Sequence, residues 1–314
     1  MEIKGILVTL LAPMSDHIAN GGEKILGNAS SIKQRPDGRV YISGQKQRHA
    51  LFAAMDRLNL EDDARAPEFA DTYISNGDGV TTIVEKDLRA DLGGFLDTNK
   101  GNYSGRRTAP LTATPAVAME SSEIGRDLLI RLKINQEKGT RDQALATREY
   151  SQEDLMLMNF HIDVGAVSIR KFFRYEGERH LETKYVKHVP EDERKRRIRL
   201  ALEATASLTD YANNARNATS GEPQTVLIVF DTKLSRKASR YFRAEEIERK
   251  NILAELDKRK ATYFLGEDTQ AEGDSVAEAY EKALAFLEAN TLYDPTNGAG
   301  TKTTGEFDNL AKGT

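Results

Sequence analysis

Two basic residues, Lys46 and Arg48, stand where a helix should begin, in the stretch Ser43-Gly44-Gln45-Lys46-Gln47-Arg48. Positive charge at that end opposes the helix dipole. No acidic residue lies between Arg39 and Met55 to neutralise it. A helix N-terminus also offers free N–H groups that suit an anion. Ser43, Gly44 and Gln45 are small or hydrogen-bonding, so they leave room for close backbone approach. An external phosphate would answer all of these features; solvated side chains are the other reading. The loop ahead, Gly27 to Arg39, adds Asn28, Lys33, Gln34 and Arg35. A basic loop, a short strand and a basic helix start can together line a groove for a sugar-phosphate backbone. Trp is absent, and the aromatic signature of standard RNA-binding sheets is not evident. The expected contact is therefore with the backbone, independent of sequence.

Other basic groups are weaker candidates. Arg106 and Arg107 lie in a Gly-, Asn- and Thr-rich stretch and read either as nucleic-acid contacts or as a surface turn. Arg194 to Arg199 reads as a solvated helix face. Lys233, Arg236, Lys237 and Arg240 follow an apolar strand directly, a placement typical of binding loops. Enzyme chemistry finds little support. The five His residues, His17, His49, His161, His180 and His188, form no metal-binding spacing. Ser15, Asp16 and His17 adjoin one another in an expected loop, which does not make a triad. His161 and Asp163 share one strand face and read as a satisfied structural pair. GNYSG lacks nucleophile-elbow spacing, and no Walker loop is present. Asp16 alone merits notice, since an acid beside an RNA backbone can assist cleavage by the 2′-hydroxyl. No metal and no cofactor is expected.

These residues need elements to position them. Ile3 to Leu11 reads as a first strand, followed by a long polar loop from Met14 to Asp37. Val40 to Ile42 is a short strand and Ser43 an N-cap. Leu51, Ala54, Met55 and Leu58 form the buried face of the helix that follows. Asp127 to Asp154 reads as a projecting element whose start, Leu128 to Ile134, alternates like a strand. Phe160, Ile162 and Val164 give a half-buried strand. Pro190 to Leu208 is a helix with acids in its first turn. Thr225 to Phe230 is an apolar run, expected as a central buried strand. Ser275 to Ala289 is a last helix, and a flexible tail is expected from 295 to 314. The order suggests an α+β fold, an antiparallel sheet with helices on one face, into which a ferredoxin-like core with inserts fits.

Length and composition agree with this plan. The chain has 314 residues, 30% of them charged, and no Cys, which excludes disulfides and thiolate metal sites. The apolar run near the start is too short for a membrane span or a secretory signal, so we read a cytoplasmic protein with no membrane partner. The net charge of -4 hides an asymmetry: Lys33 to Arg57 has six basic and two acidic residues, whereas Glu245 to Asp294 has six basic and thirteen acidic. Such opposed regions suit a polyanion at one place and head-to-tail stacking of copies at another; solvated helices are the alternative for the acidic block.

Three segments resemble one family. RVYISGQKQRHALF (Arg39 to Phe52), preceded by SIKQRPDG, RRTAPLTATPAVAM (Arg106 to Met119) and FHIDVG (Phe160 to Gly165) are similar, in this order, to the backbone subunit of type I CRISPR surveillance complexes (Cascade), in its DevR-like autoregulator branch. The resemblance spans about the first 170 residues and implies a hand-shaped fold: a modified RNA-recognition palm over 1–294, fingers inserted at about 60–91 and a thumb hairpin at about 119–153. It also implies that copies stack head to tail on a CRISPR guide RNA (crRNA) beside other Cascade subunits. Target DNA then enters through guide pairing. Lys33, Gln45, Lys46 and Arg48 carry over as the RNA contacts, with His49 at a position that is often basic. Related type III backbone subunits cut RNA through a loop Asp. The motif around Asp16 does not match theirs, so the expectation is a non-enzyme, with a metal-dependent endoribonuclease as the alternative.

Overall fold

The computed structural model describes residues 1–25, 29–77, 81–97, 105–135 and 140–296. The first half contains β1 (Gly5–His17), β2 (Tyr41–Ile42), α1 (Gly44–Leu60) and α2 (Leu88–Gly93). Next come β3 (Leu111–Ala113), β4 (Ala116–Ala118), β5 (Ile124–Asn135) and β6 (Thr140–Asp163). The second half adds β7 (Ile169–Glu176), β8 (Arg179–Lys187), α3 (Glu191–Ala204) and β9 (Thr225–Asp231). It closes with α4 (Glu246–Lys258), β10 (Thr262–Glu267) and α5 (Val276–Ala289). The chain is α+β, and no described helix is long and apolar enough to cross a membrane. The expected tail lies, from residue 297 on, outside the described residues.

The central sheet runs β10–β9–β1–β6, antiparallel throughout. Beyond β6, the short strands β3 and β4 pair with Phe160–Ile162 and Met156–Leu157, and β2 pairs with β4. The outer part of β6 leaves the central pairing and zips to β5 from Ser151↔Ile124 to Thr140↔Asn135.

Alternation splits the core into two layers. Ile6, Val8, Leu10, Met158 and Phe160 face α1, α3 and α5. Leu7, Leu157, Leu227 and Val229 face α4 and a short 3-10 helix, Lys237–Arg243. The expectation of helices on one face is thus corrected: β9 is buried at every position, so both of its faces need cover. Only Ile252 and Leu256 of α4 are buried, too sparse a stripe to reveal the helix in the sequence.

Two further expectations change. The strand expected to end at Leu11 continues to His17, because Met14 and Ser15 keep pairing with Asp154 and Glu153. Ser15, Asp16 and His17 are therefore strand residues, not a loop. His17 is buried, and its Nε2 lies 2.7 Å from Asp154 Oδ2.

The Arg194–Arg199 cluster is not a solvated face. Arg194 and Arg197 are fully buried. Arg194 donates to the carbonyls of Val167 (2.9 Å), Val164 (2.7 Å) and Tyr293 (3.0 Å). Arg197 bonds Glu193 and Asp91, each at 2.7 Å. Arg196 bonds Glu193, Asn59, Asp62 and Thr72. Arginine tolerates burial here because carbonyls and carboxylates take most of its fixed fork of donors, Arg194 Nη1 alone of the Arg194 and Arg197 pair being left without a partner among the described residues. The network ties Asn59, Asp62, Thr72 and Asp91 to α3.

Candidate nucleic-acid interface

The helix start forms as its residues dictate. Ser43 caps α1, its Oγ accepting from Lys46 N at 3.2 Å, and the first turn holds no acid. Ser43, Gln45 and His49 are exposed and Lys46 is half-buried. Burial holds the Lys46 ammonium below its ordinary pKa, with the Asp210 carboxylate opposing. Asp210 is itself engaged by Arg57 at 2.5 Å. Among the described residues the Lys46 ammonium has no ion-pair or hydrogen-bond partner of its own. A partly desolvated cation thus sits unpaired beside the free amides of a helix start.

The preceding loop is a tight hairpin. Gly38 N donates to Arg35 O at 3.0 Å across Pro36 and Asp37. Pro36 presets the turn, and Gly38 takes the left-handed conformation (φ 79°) that closes it. Gln34 Nε2 braces the turn on Gly38 O at 2.9 Å. Asn20 Nδ2 donates to both Lys33 O (2.9 Å) and Tyr41 O (3.0 Å), which holds the hairpin base to the strand leading into α1. Lys33 is thereby held beside Tyr41, and Gln34 opposite Val40, on the strand that leads to Ser43.

Arg48 is placed differently. Its Nη2 donates to Gly93 O at the end of α2, and its guanidinium lies 5.8 Å from the Phe52 ring. Burial, and then the nearby Arg89, depress its pKa. Arg48 therefore braces α1 on α2. Arg107, expected to be open to nucleic acid, is buried instead. It donates to Asp91, to Ile169 O (3.1 Å) and to Ala166 O (2.8 Å), because the α2 carboxylate offers a fork partner inside the fold. Asn28 and the side chain of Arg106 lie outside the described residues. Arg236 and Lys237 are exposed, but Lys237 is paired with Glu255. Asp16 is exposed at the end of β1 with φ 45°, its carbonyl held by Asn217. No group of three or more potential metal ligands occurs among the described residues.

Two features escape the sequence. Arg243 converges on the hairpin: its pKa is depressed by burial and then by Arg39 and Arg35, with Asp37 opposing. No local signal marks it, since its neighbours are more than 200 residues earlier. The second is His161. The expected pair with Asp163 does not form, and neither ring nitrogen has a hydrogen-bond partner among the described residues. Burial pushes its pKa down to about 4, with Arg236 adding to the depression and Asp231 opposing.

Known proteins share this architecture. The model of the family described as CRISPR-associated negative auto-regulator DevR/Csa2 matches residues 26–234. One chain of a solved CRISPR RNA-guided surveillance complex is similar at a TM-score of 0.53 and 11% identity, covering 98% of this chain and 98% of that one. A chain of a second solved structure, described as a CRISPR RNA-guided surveillance complex, pre-nicking, is similar at a TM-score of 0.53 and 12% identity, covering 90% of this chain and 99% of that one. At these identities the likeness is one of fold. No curated protein sequence matches.

Proposed function

The chain belongs to the CRISPR-associated negative auto-regulator family DevR/Csa2, and from that premise we propose that it is a non-catalytic backbone subunit of a surveillance complex that holds a guide RNA by its phosphates. The observation that carries this reading is Lys46, a half-buried cation without a partner at a helix start that lacks any acid. A phosphate there would accept from the first-turn amides and supply the missing counter-charge. Lys33 and Arg35 extend the positive surface along the hairpin. In this reading the sheet and α1, α3 and α5 make a modified RNA-recognition palm, segment 60–91 the fingers and segment 119–153 the thumb. Copies stack head to tail on the RNA together with other subunits of the complex, and base pairing selects target DNA. Asp16 takes no part in cleavage.

The test is RNA affinity across a salt series. The double variant Lys33→Ala, Lys46→Ala should bind every sequence more weakly by a similar factor. The slope of log affinity against log salt should flatten by about 0.7 for each phosphate that the protein no longer neutralises. Unchanged affinity would remove this site from the account. Incubating the RNA-loaded protein with complementary RNA and Mg²⁺ tests the non-catalytic part: regular cuts that vanish in Asp16→Ala would refute it.

A further inference from the structure

The ribbon formed by β5 and β6 leaves the central sheet at Ser151. On the sheet side β6 pairs with β1, ending at Ser151↔His17. On the outer side it pairs with β5, starting from Ser151↔Ile124. A two-stranded ribbon is marginal by itself, so the direction in which it leaves depends on what braces it. The segment that carries Lys33 is one such brace. Ala29 and Ser30 pair with Thr147 and Arg148, a contact two residues long. Glu149 extends it: its Oε2 accepts from Ile32 N at 3.3 Å, while its Oε1 accepts from Arg126 Nε at 3.1 Å. One carboxylate thus bonds the Lys33 segment and β5 together. A second link lies on the return strand of the hairpin. Val40 N donates to Ser122 Oγ at 3.0 Å, and Ser122 Oγ donates to Asp154 Oδ1 at 2.5 Å.

Glu149 acts on Lys33 through the backbone. Ile32 N is held by Glu149, and Lys33 O is held by Asn20 Nδ2 at 2.9 Å. The main chain on both sides of the Lys33 side chain is therefore fixed, and its ammonium has no partner among the described residues. Charge alone would give Glu149 the opposite role, since a carboxylate this near Lys33 opposes a phosphate there. Its ion pair with the exposed Arg126 is no sufficient reason for it, because such surface pairs contribute little to stability. Positioning and repulsion predict opposite effects when the carboxylate is removed.

We propose that Glu149 is a positioning residue for the RNA: it presents Lys33 to the phosphate backbone and, through the same carboxylate, locks the ribbon to the Lys33 segment, so that bound RNA fixes the direction in which the ribbon leaves the sheet. The inference rests on the RNA-holding reading above. A ribbon that swings away takes Glu149 from Ile32 N and loosens Lys33. RNA binds the arrangement with Lys33 held, and so draws the ribbon into place. The coupling is reciprocal: what the ribbon does for RNA affinity, RNA does for the ribbon.

The experiment measures two quantities on the full chain with an oligouridylate strand. The first is affinity. Glu149→Ala should weaken binding about tenfold, whereas Glu149→Gln, which keeps an acceptor for Ile32 N, should stay within about twofold of the unaltered protein. The second is amide exchange at Gly125 to Ile130 of β5, which lies across β6 from the Lys33 segment. RNA at about 100 times its Kd should slow these amides about tenfold in the unaltered protein and in Glu149→Gln, but less than about twofold in Glu149→Ala at the same saturation. Ser122→Ala, which cuts the second link without touching a charge, should also reduce the slowing. Binding by Glu149→Ala as tight as that of the unaltered protein, or tighter, would overturn the proposal, since a merely repelling carboxylate gives that result. Slowing that persists in full in Glu149→Ala would overturn it as well, since RNA would then shield the ribbon directly. Binding without any slowing in the unaltered protein would leave the RNA-holding reading standing and remove the coupling. Failure of the unaltered protein to bind the strand even at low salt would overturn that reading and this inference with it.

Discussion

Asp91→Ala probes the buried network most sharply. Asp91 lies fully buried in α2. Its carboxylate accepts from Arg107, from Arg197 at 2.7 Å, and from Ser168 through N (2.9 Å) and Oγ (2.5 Å). Burial alone would raise its pKa. The two guanidiniums and the Ser168 hydroxyl outweigh that and hold it at about 2. Truncation leaves Arg107 with carbonyl acceptors only, whereas Arg197 keeps Glu193. Breaking one partner out of a buried pair costs about 3–5 kcal/mol. That is a large share of the roughly 5–15 kcal/mol that stabilises a domain. The assay is urea unfolding, with Asp71→Ala as control because the Asp71–Lys86 pair is exposed. The double variant Asp91→Leu, Arg107→Met should recover most of the loss, since an apolar pair of similar volume replaces a buried ion pair at little cost. The pH arm has a fixed sign. A depressed carboxylate contributes about 2 kcal/mol, present above about pH 4 and lost as pH falls towards 2. If Asp91→Ala shifts the urea midpoint no further than Asp71→Ala, the network does not hold the fold in the way described.

Three further outcomes are expected. Arg48→Ala should lower stability by about 2 kcal/mol by removing the bond to Gly93 O, and flatten the salt slope of RNA binding less than Lys46→Ala does. Gly44→Ala brings a Cβ against the Ala113 carbonyl and should cost about 1–3 kcal/mol in thermal unfolding. Asp154 joins His17 to Ser122 at the base of the β5–β6 hairpin, and Ser122 Oγ in turn accepts from Val40 N at 3.0 Å. Asp154→Asn should therefore speed amide exchange at Val40, with a stability loss of about 1–3 kcal/mol.

Local chemistry is legible in the sequence where it depends on neighbours in the chain. Ser43 caps α1, Ser275 caps α5 with a capping box to Glu278, and the TVLIVF run is a buried strand, all in line with spacing and residue type. Long-range pairing is not legible. Arg107 and Arg197 look like surface charges until α2 brings Asp91 between them. His17 looks like a loop residue until Asp154 lies opposite. Arg48 lies on Gly93 O, a partner that its place at the helix start does not announce. In each case a partner far along the chain decides whether the side chain faces solvent or a buried acceptor.

A structure of the RNA-loaded particle tests the central claim most directly. The account predicts a phosphate within hydrogen-bond reach of Lys46 Nζ and the first amides of α1, with the same contact in every copy. RNA running over the α4 face instead, with Lys46 still bare of phosphate, would contradict it.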